Sequence, residues 1–149
     1  MKVLNKNVRR EFEILDTYEA GITLTGPEVK AIRTRGIKLD GSFVKIVGNE
    51  IHLINANIPI YEYADLENYD SKRTRKLLLH KKEILKLQSK LSQKPNLTIV
   101  PVSCYNKGSL IKLGIALGRG KKLWERKKVE KDTSEKRRMQ KEVKEYLKK

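Results

Sequence analysis

The feature that most constrains this 149-residue chain is where its charge sits. Residues 119–149 carry 14 basic and 6 acidic side chains, net +8, while residues 1–118 carry 20 and 12, also net +8, of a total of +16. A fifth of the chain thus holds half of the net charge. Beyond Leu123 and Trp124 that segment has only Val129, Met139, Val143, Tyr146 and Leu147 to bury, too few to close a core. It is expected to be a basic tail, disordered when free. The fold must then come from residues 1–118, a length suited to one small domain.

The body reads mostly as strands. Phe12, Ile14, Asp16 and Tyr18 alternate with charged or polar neighbours, and Glu19-Ala20-Gly21 reads as a turn that ends the run. Phe43 to Val47 and Ile51 to Ile54 flank Gly48-Asn49, a two-residue loop suited to a type II′ hairpin. Leu97 to Tyr105 and Leu110 to Leu117 flank Asn106-Lys107-Gly108-Ser109, a second hairpin. Pro27 near a first helical position and Gly36 as a stop bracket one helix, with Val29 and Ile32 on a shared face. Ile84, Leu87 and Leu91 mark a longer helix that ends near Pro95. About six short strands with two helices point to a mainly β domain, a small closed or nearly closed antiparallel barrel.

Several function classes are excluded by what the chain lacks. Met1 to Lys6 form no apolar leader core, and no apolar run approaches bilayer length, so neither a secretory nor a membrane protein is expected. The single cysteine, Cys104, makes no internal disulfide and no thiolate metal site, which suits the cytoplasm. His52 and His80 lie in different elements without metal-ligand spacing. Gly118-Arg119-Gly120-Lys121-Lys122 lacks the spacing of a phosphate loop and the helix that should follow it. Glu11, Glu13 and Asp16 read as the wet face of a strand. No catalytic constellation, metal or cofactor is expected, and the chain is not read as an enzyme.

The remaining features belong to recognition. Lys72-Arg73-Thr74-Arg75-Lys76, followed by Leu77-Leu78-Leu79-His80, mixes dense charge with apolar residues, the alternative being a solvated loop entering a helix. The segment from Arg119 to Lys128 clusters basic residues around the only tryptophan, an arrangement suited to stacking on an unpaired base. A small domain this basic calls for an anionic partner, and nucleic acid leads that class.

Asn5-Lys6-Asn7-Val8-Arg9-Arg10-Glu11-Phe12, Tyr18-Glu19-Ala20-Gly21, Leu24-Thr25-Gly26-Pro27-Glu28-Val29-Lys30, Arg73-Thr74-Arg75-Lys76-Leu77-Leu78-Leu79-His80 and Gly120-Lys121-Lys122 occur in this order. Together they closely resemble the SmpB family of tmRNA-binding (SsrA-binding) proteins, over nearly the whole chain. The resemblance implies an OB-like barrel, residues 1–118, with two or three flanking helices and a tail, residues 119–149, that becomes helical on the ribosome. It implies binding to the tRNA-like domain of tmRNA and support for its alanylation. Delivery with elongation factor Tu and alanyl-tmRNA to stalled ribosomes follows, where the tail senses the empty mRNA channel at the small-subunit decoding centre. DNA and membranes are not implied partners.

Carried over by position, the tmRNA surface comprises Asn5, Arg10, Glu19, Leu78 and His80, to which the basic run adds Arg73, Arg75 and Lys76. The ribosome-binding tail comprises Lys121, Lys122, Trp124, Arg126, Lys127 and Lys128. Ser71 stands where the family usually has proline, so the loop before Arg73 is expected to be looser. Trp124 replaces a histidine or tyrosine, and Glu125-Arg126-Lys127 replaces Asp-Lys-Arg. In the tail, Asp132 and Glu135 resemble a capping box, with Met139, Val143, Tyr146 and Leu147 along one stripe. The competing reading is a general OB-type or ribosome-associated RNA-binding protein without tmRNA specificity. An acidic residue such as Glu19 on an RNA face argues against it, because it hinders non-specific binding yet accepts hydrogen bonds from base or sugar donors.

Overall fold

The structure is a computed structural model that describes residues 1–64, 67–121 and Arg137. Among the described residues up to 121, seven strands and three helices follow one another as β1 (Lys2–Leu4), α1 (Val8–Glu11), β2 (Phe12–Ile22), α2 (Gly26–Arg35), β3 (Phe43–Val47), β4 (Glu50–Ile54), β5 (Arg75–Leu78), α3 (Lys81–Gln93), β6 (Leu97–Lys107) and β7 (Leu110–Gly120). The mainly β reading with two or three helices holds.

All strand pairings are antiparallel, in the order β1-β6-β3-β4-β5-β2-β7 with a further β6–β7 pairing. Six strands therefore close into a ring, and β1 is added on the outer edge of β6. The closure is uneven. The β2–β7 and β6–β7 ladders run nearly the length of their strands, whereas β3 meets β6 through the single pair Val44↔Ile99. Two bulges bend the long ladders, at Leu15 between Ile14 and Asp16 and at Val102 between Pro101 and Ser103. A bulge suits Pro101, which has no N–H for the ladder.

Local sequence explains the turns. Gly48 has φ 62 with Asn49 outside the left-handed region, and Val47 pairs with Glu50, as a type II′ loop requires. The second hairpin is tighter than the sequence suggested. Lys107 pairs with Leu110, so Asn106 and Lys107 belong to β6 and only Gly108-Ser109 turn, again with φ 62 at the glycine. Helix α2 opens on a capping box in which the Glu28 N–H donates to Thr25 Oγ1 at 3.3 Å and the Thr25 N–H donates to Glu28 Oε1 at 3.0 Å. Such a cap contributes about 1 kcal/mol. Gly36, at φ 81, closes the same helix by bonding to the Ile32 carbonyl.

Inside the ring, Ile51, Leu53, Leu77, Ile99, Leu113, Ile115 and Leu117 meet Ile32 of α2 and Leu87 of α3, all essentially without solvent contact. Gln88 of α3 donates to the Gly48 carbonyl at 2.8 Å, and Lys90 pairs with Asp16 of β2. Helix α3 is thereby tied both to the β3–β4 hairpin and to β2.

One ionic cluster lies within this core. Glu28 is 1% exposed and Arg75 0%. Arg75 donates from Nε and Nη2 to Glu28 Oε2 at 2.9 and 2.7 Å, and further to the Ala56 and Ser71 carbonyls at 2.8 and 3.1 Å. Arg73 Nη2 reaches Glu28 Oε1 at 2.5 Å. Burial pushes the Glu28 carboxyl up, but the Thr25 N–H and the two guanidinium groups outweigh it and hold it below the usual range. In the loop before Arg73 the Ser71 carbonyl accepts from the Ile58 N–H at 3.0 Å as well as from Arg75.

Among the described residues no helix is long and apolar enough to cross a membrane, and no cluster of histidine, cysteine, aspartate and glutamate is arranged to hold a metal ion.

Candidate nucleic-acid interface

The sheet of β1, β6, β7, β2 and β5 has an outer face whose rows follow from the register. Leu4 lies opposite Ser103, Ser103 opposite Gly114, and Gly114 opposite Glu19. One repeat further along, Lys2 faces Tyr105, Tyr105 faces Lys112, Lys112 faces Gly21, and Gly21 faces Leu78. Residues directly opposite in an antiparallel ladder project to the same side. Glu19 thus sits in the middle of a face that also carries Lys2, Lys112, Tyr105 and Leu78.

The turn expected at Glu19-Ala20-Gly21 is not there. These residues continue β2, paired with Gly114, Leu113 and Lys112. Ala20 is fully buried in the core, which leaves Glu19 and Gly21 pointing outward. Small residues that suit a turn serve here to let strands approach. A Cβ on Gly21 would lie 3.2 Å from Leu78 Cβ, and one on Gly114 would lie 2.7 Å from Ser103 Oγ.

The Glu19 carboxylate is held by two donors. The Tyr105 hydroxyl donates to Oε2, and Lys107 Nζ donates to Oε1 at 3.0 Å. These bonds, Tyr105 first and Lys107 second, hold the carboxyl below its ordinary value, while the Tyr105 phenol is pushed up to about 12 chiefly by its bond to Glu19. Neither Tyr105 nor Lys107 was singled out from the sequence. The usable signal was the two-residue Gly108-Ser109 turn, which by alternation sets Lys107 and Tyr105 on one side of β6.

Leu78 is 56% exposed at the end of β5. It borders a hollow of about 210 Å³ with Gly21, Leu24, Leu110 and Lys112, and another of about 370 Å³ with Lys76, Lys81, Ile84 and Leu85. An apolar side chain left in water between two hollows is available to a partner.

The other expected contacts are dispersed. Arg75 is corrected outright: it is wholly buried against Glu28 and has no surface to offer RNA. Arg73 is partly exposed but committed to the same carboxylate. Asn5 uses its amide within the fold, donating to the Pro101 carbonyl at 2.9 Å and the Leu39 carbonyl at 3.4 Å, which corrects its reading as an RNA contact through that group. Lys76 is exposed on β5 and pairs with Glu50 at 3.3 Å. His80 is exposed at the N-cap position of α3. Arg10 is exposed on α1, about 20 Å along β2 from Glu19 at the rise of an extended strand. The anticipated surface thus gathers Glu19 and Leu78 but not the arginines.

At the other end, β7 runs to Gly120, two residues past the expected boundary at 118. Lys121 stays attached to α1: its N–H donates to the Glu11 carbonyl at 2.8 Å and its Nζ to the Arg9 carbonyl at 2.7 Å. Lys122, Trp124, Arg126, Lys127 and Lys128 lie outside the described residues, as do Asp132, Glu135 and the apolar stripe after them.

Comparison with known proteins gives a consistent answer. The family model described as SmpB protein matches residues 2–145. An SsrA-binding protein of Mycoplasma mycoides subsp. mycoides SC is 44% identical over 145 residues, covering 97% of this chain and 95% of its own. An SsrA-binding protein of Aquifex aeolicus is 44% identical over 141 residues, covering 94% and 89%. Among solved structures, a chain of "tmRNA-SmpB: a journey to the center of the bacterial ribosome" superposes with a TM-score of 0.67 at 43% identity, covering 82% of this chain and 85% of that one.

Proposed function

This chain belongs to the SmpB family, and from that membership we propose that it binds the tRNA-like domain of tmRNA and delivers it to stalled ribosomes for trans-translation. It acts by recognition and not by bond-making. The observation that carries the reading is Glu19, an acid held in fixed orientation on a face that also presents Lys2, Lys112 and exposed Leu78. Non-specific RNA binding has no use for an acid there, since phosphate neutralisation supplies its affinity. A carboxylate beside an exposed leucine reads donors and shape, as recognition of folded RNA requires.

In this reading the body captures tmRNA, and residues 119–149 engage the ribosome in the cytoplasm. Lys121 and Lys122 lead the tail toward the vacant mRNA channel, and Trp124 stacks in the decoding centre. Arg126, Lys127 and Lys128 neutralise phosphate along the way. Elongation factor Tu with alanyl-tmRNA completes the delivered complex. Arg10, Lys76 and His80 are exposed and would meet parts of the RNA beyond the Glu19 face.

The test is sequencing of the RNA that copurifies with the protein. One dominant tmRNA species is expected. A broad mixture would favour a general RNA-binding protein instead.

A further inference from the structure

Glu19 reaches its two partners across an intervening strand. Tyr105 and Lys107 belong to β6, and β7 lies between β6 and β2. The reach runs diagonally over β7, where Gly114 stands opposite Glu19 and Lys112 opposite Tyr105. A Cβ at Gly114 would collide with Ser103 Oγ at 2.7 Å, so β7 is kept bare beside Glu19.

An ionised carboxylate has roughly four lone-pair sites. Tyr105 and Lys107 occupy one on each oxygen, and the Glu19 side chain remains 38% exposed, so acceptor capacity is left facing solvent. A glutamate without such partners samples several rotamers and loses that freedom on binding. Lys107 also offsets the acid's repulsion of phosphates that approach nearby. A phosphate has no donor to give a carboxylate. A base edge with amino or imino hydrogens does, and so does a ribose hydroxyl.

We propose that Tyr105 and Lys107 are positioning residues for RNA recognition: they hold Glu19 in the one orientation in which its open acceptor sites meet the N–H edge of an unpaired base, seated over Gly21 between Leu78 and Lys112. This inference rests on the function proposed above and adds two residues and a ligand edge to it.

The experiment measures affinity of the full chain for tmRNA and for an unstructured RNA of equal length. The variants are Glu19→Gln, Tyr105→Phe, Lys107→Gln and the Glu19→Gln/Tyr105→Phe double. Tyr105→Phe weakens tmRNA binding roughly three- to tenfold, the size of one side chain's lost ordering, and leaves the unstructured RNA unaffected. In the Glu19→Gln background the same substitution has no further effect. In the free, folded protein, carbon-detected titration of the Glu19 carboxyl moves up toward the ordinary glutamate value in Tyr105→Phe. Unchanged melting temperatures show that the variants fold. Additive losses in the double variant, or wild-type affinity in Tyr105→Phe, overturn the positioning role. Wild-type protein that prefers tmRNA no more than the unstructured RNA would overturn the function itself, so the two failures are distinguishable.

Discussion

Arg75 is the sharpest test of where structure and family resemblance part. The perturbation is Glu28→Gln, which keeps the side chain's size and leaves the Arg75 guanidinium buried without its counter-charge. In the native fold Arg75 makes four hydrogen bonds, two to Glu28 and one each to the Ala56 and Ser71 carbonyls, at 0% exposure. Removing one partner of such a pair costs about 3–5 kcal/mol, because the remaining charge is stranded. Against a total stability of roughly 5–15 kcal/mol for a domain, that is a large share. At about 3–6 °C per kcal/mol for a domain near this size, the melting temperature falls by about 9–30 °C. Arg75→Met destabilises less, because Arg73 and the Thr25 N–H still hold Glu28, and the double variant Glu28→Gln/Arg75→Met loses less than the sum of the two, since no buried charge is left. Urea unfolding of the four proteins gives the cycle, and tmRNA affinity is measured where each is folded. The reasoning fails if Arg75→Met melts like the wild type and loses tmRNA affinity, for then Arg75 faces the RNA and not the core.

The same cluster links stability to pH. Glu28 is held below its ordinary value of 4.5, so its contribution is complete above that pH and is lost as pH falls through the lower folded value. Acid unfolding of the wild type should be visibly steeper there than that of Glu28→Gln. Leu78→Ala, at a side chain 56% exposed, should leave the melting temperature within about 3 °C of wild type, in keeping with the small cost of surface changes, yet lower tmRNA affinity in a gel-shift titration. A protein ending after Lys121, which keeps the bonds of that residue to α1, should retain tmRNA binding with a slightly lower salt slope and fail to tag nascent chains on non-stop messages. Full tagging by that protein would refute the division between body and tail.

Short-range features were legible in the residues themselves. Thr25 to Glu28 and Gly36 bracket α2, and Gly48-Asn49 makes its hairpin, because caps and two-residue turns are decided within a few residues by backbone sterics and local hydrogen bonds. The crowding of charge after residue 118 and the order of five motifs pointed to an RNA partner and to Glu19 and Leu78. What the tertiary structure alone decided depends on partners far along the chain. Tyr18-Glu19-Ala20-Gly21 suits a turn or a close-packed strand equally well, and the ladder with Leu113 and Gly114 settles it as strand. In the run from Lys72 to Lys76 the arginines look alike. Glu28, 47 residues before Arg75, draws that arginine into the core while Lys76 alternates outward. Tyr105 and Lys107 stand 86 and 88 residues from Glu19, and only closure of the ring through β7 brings them to its carboxylate.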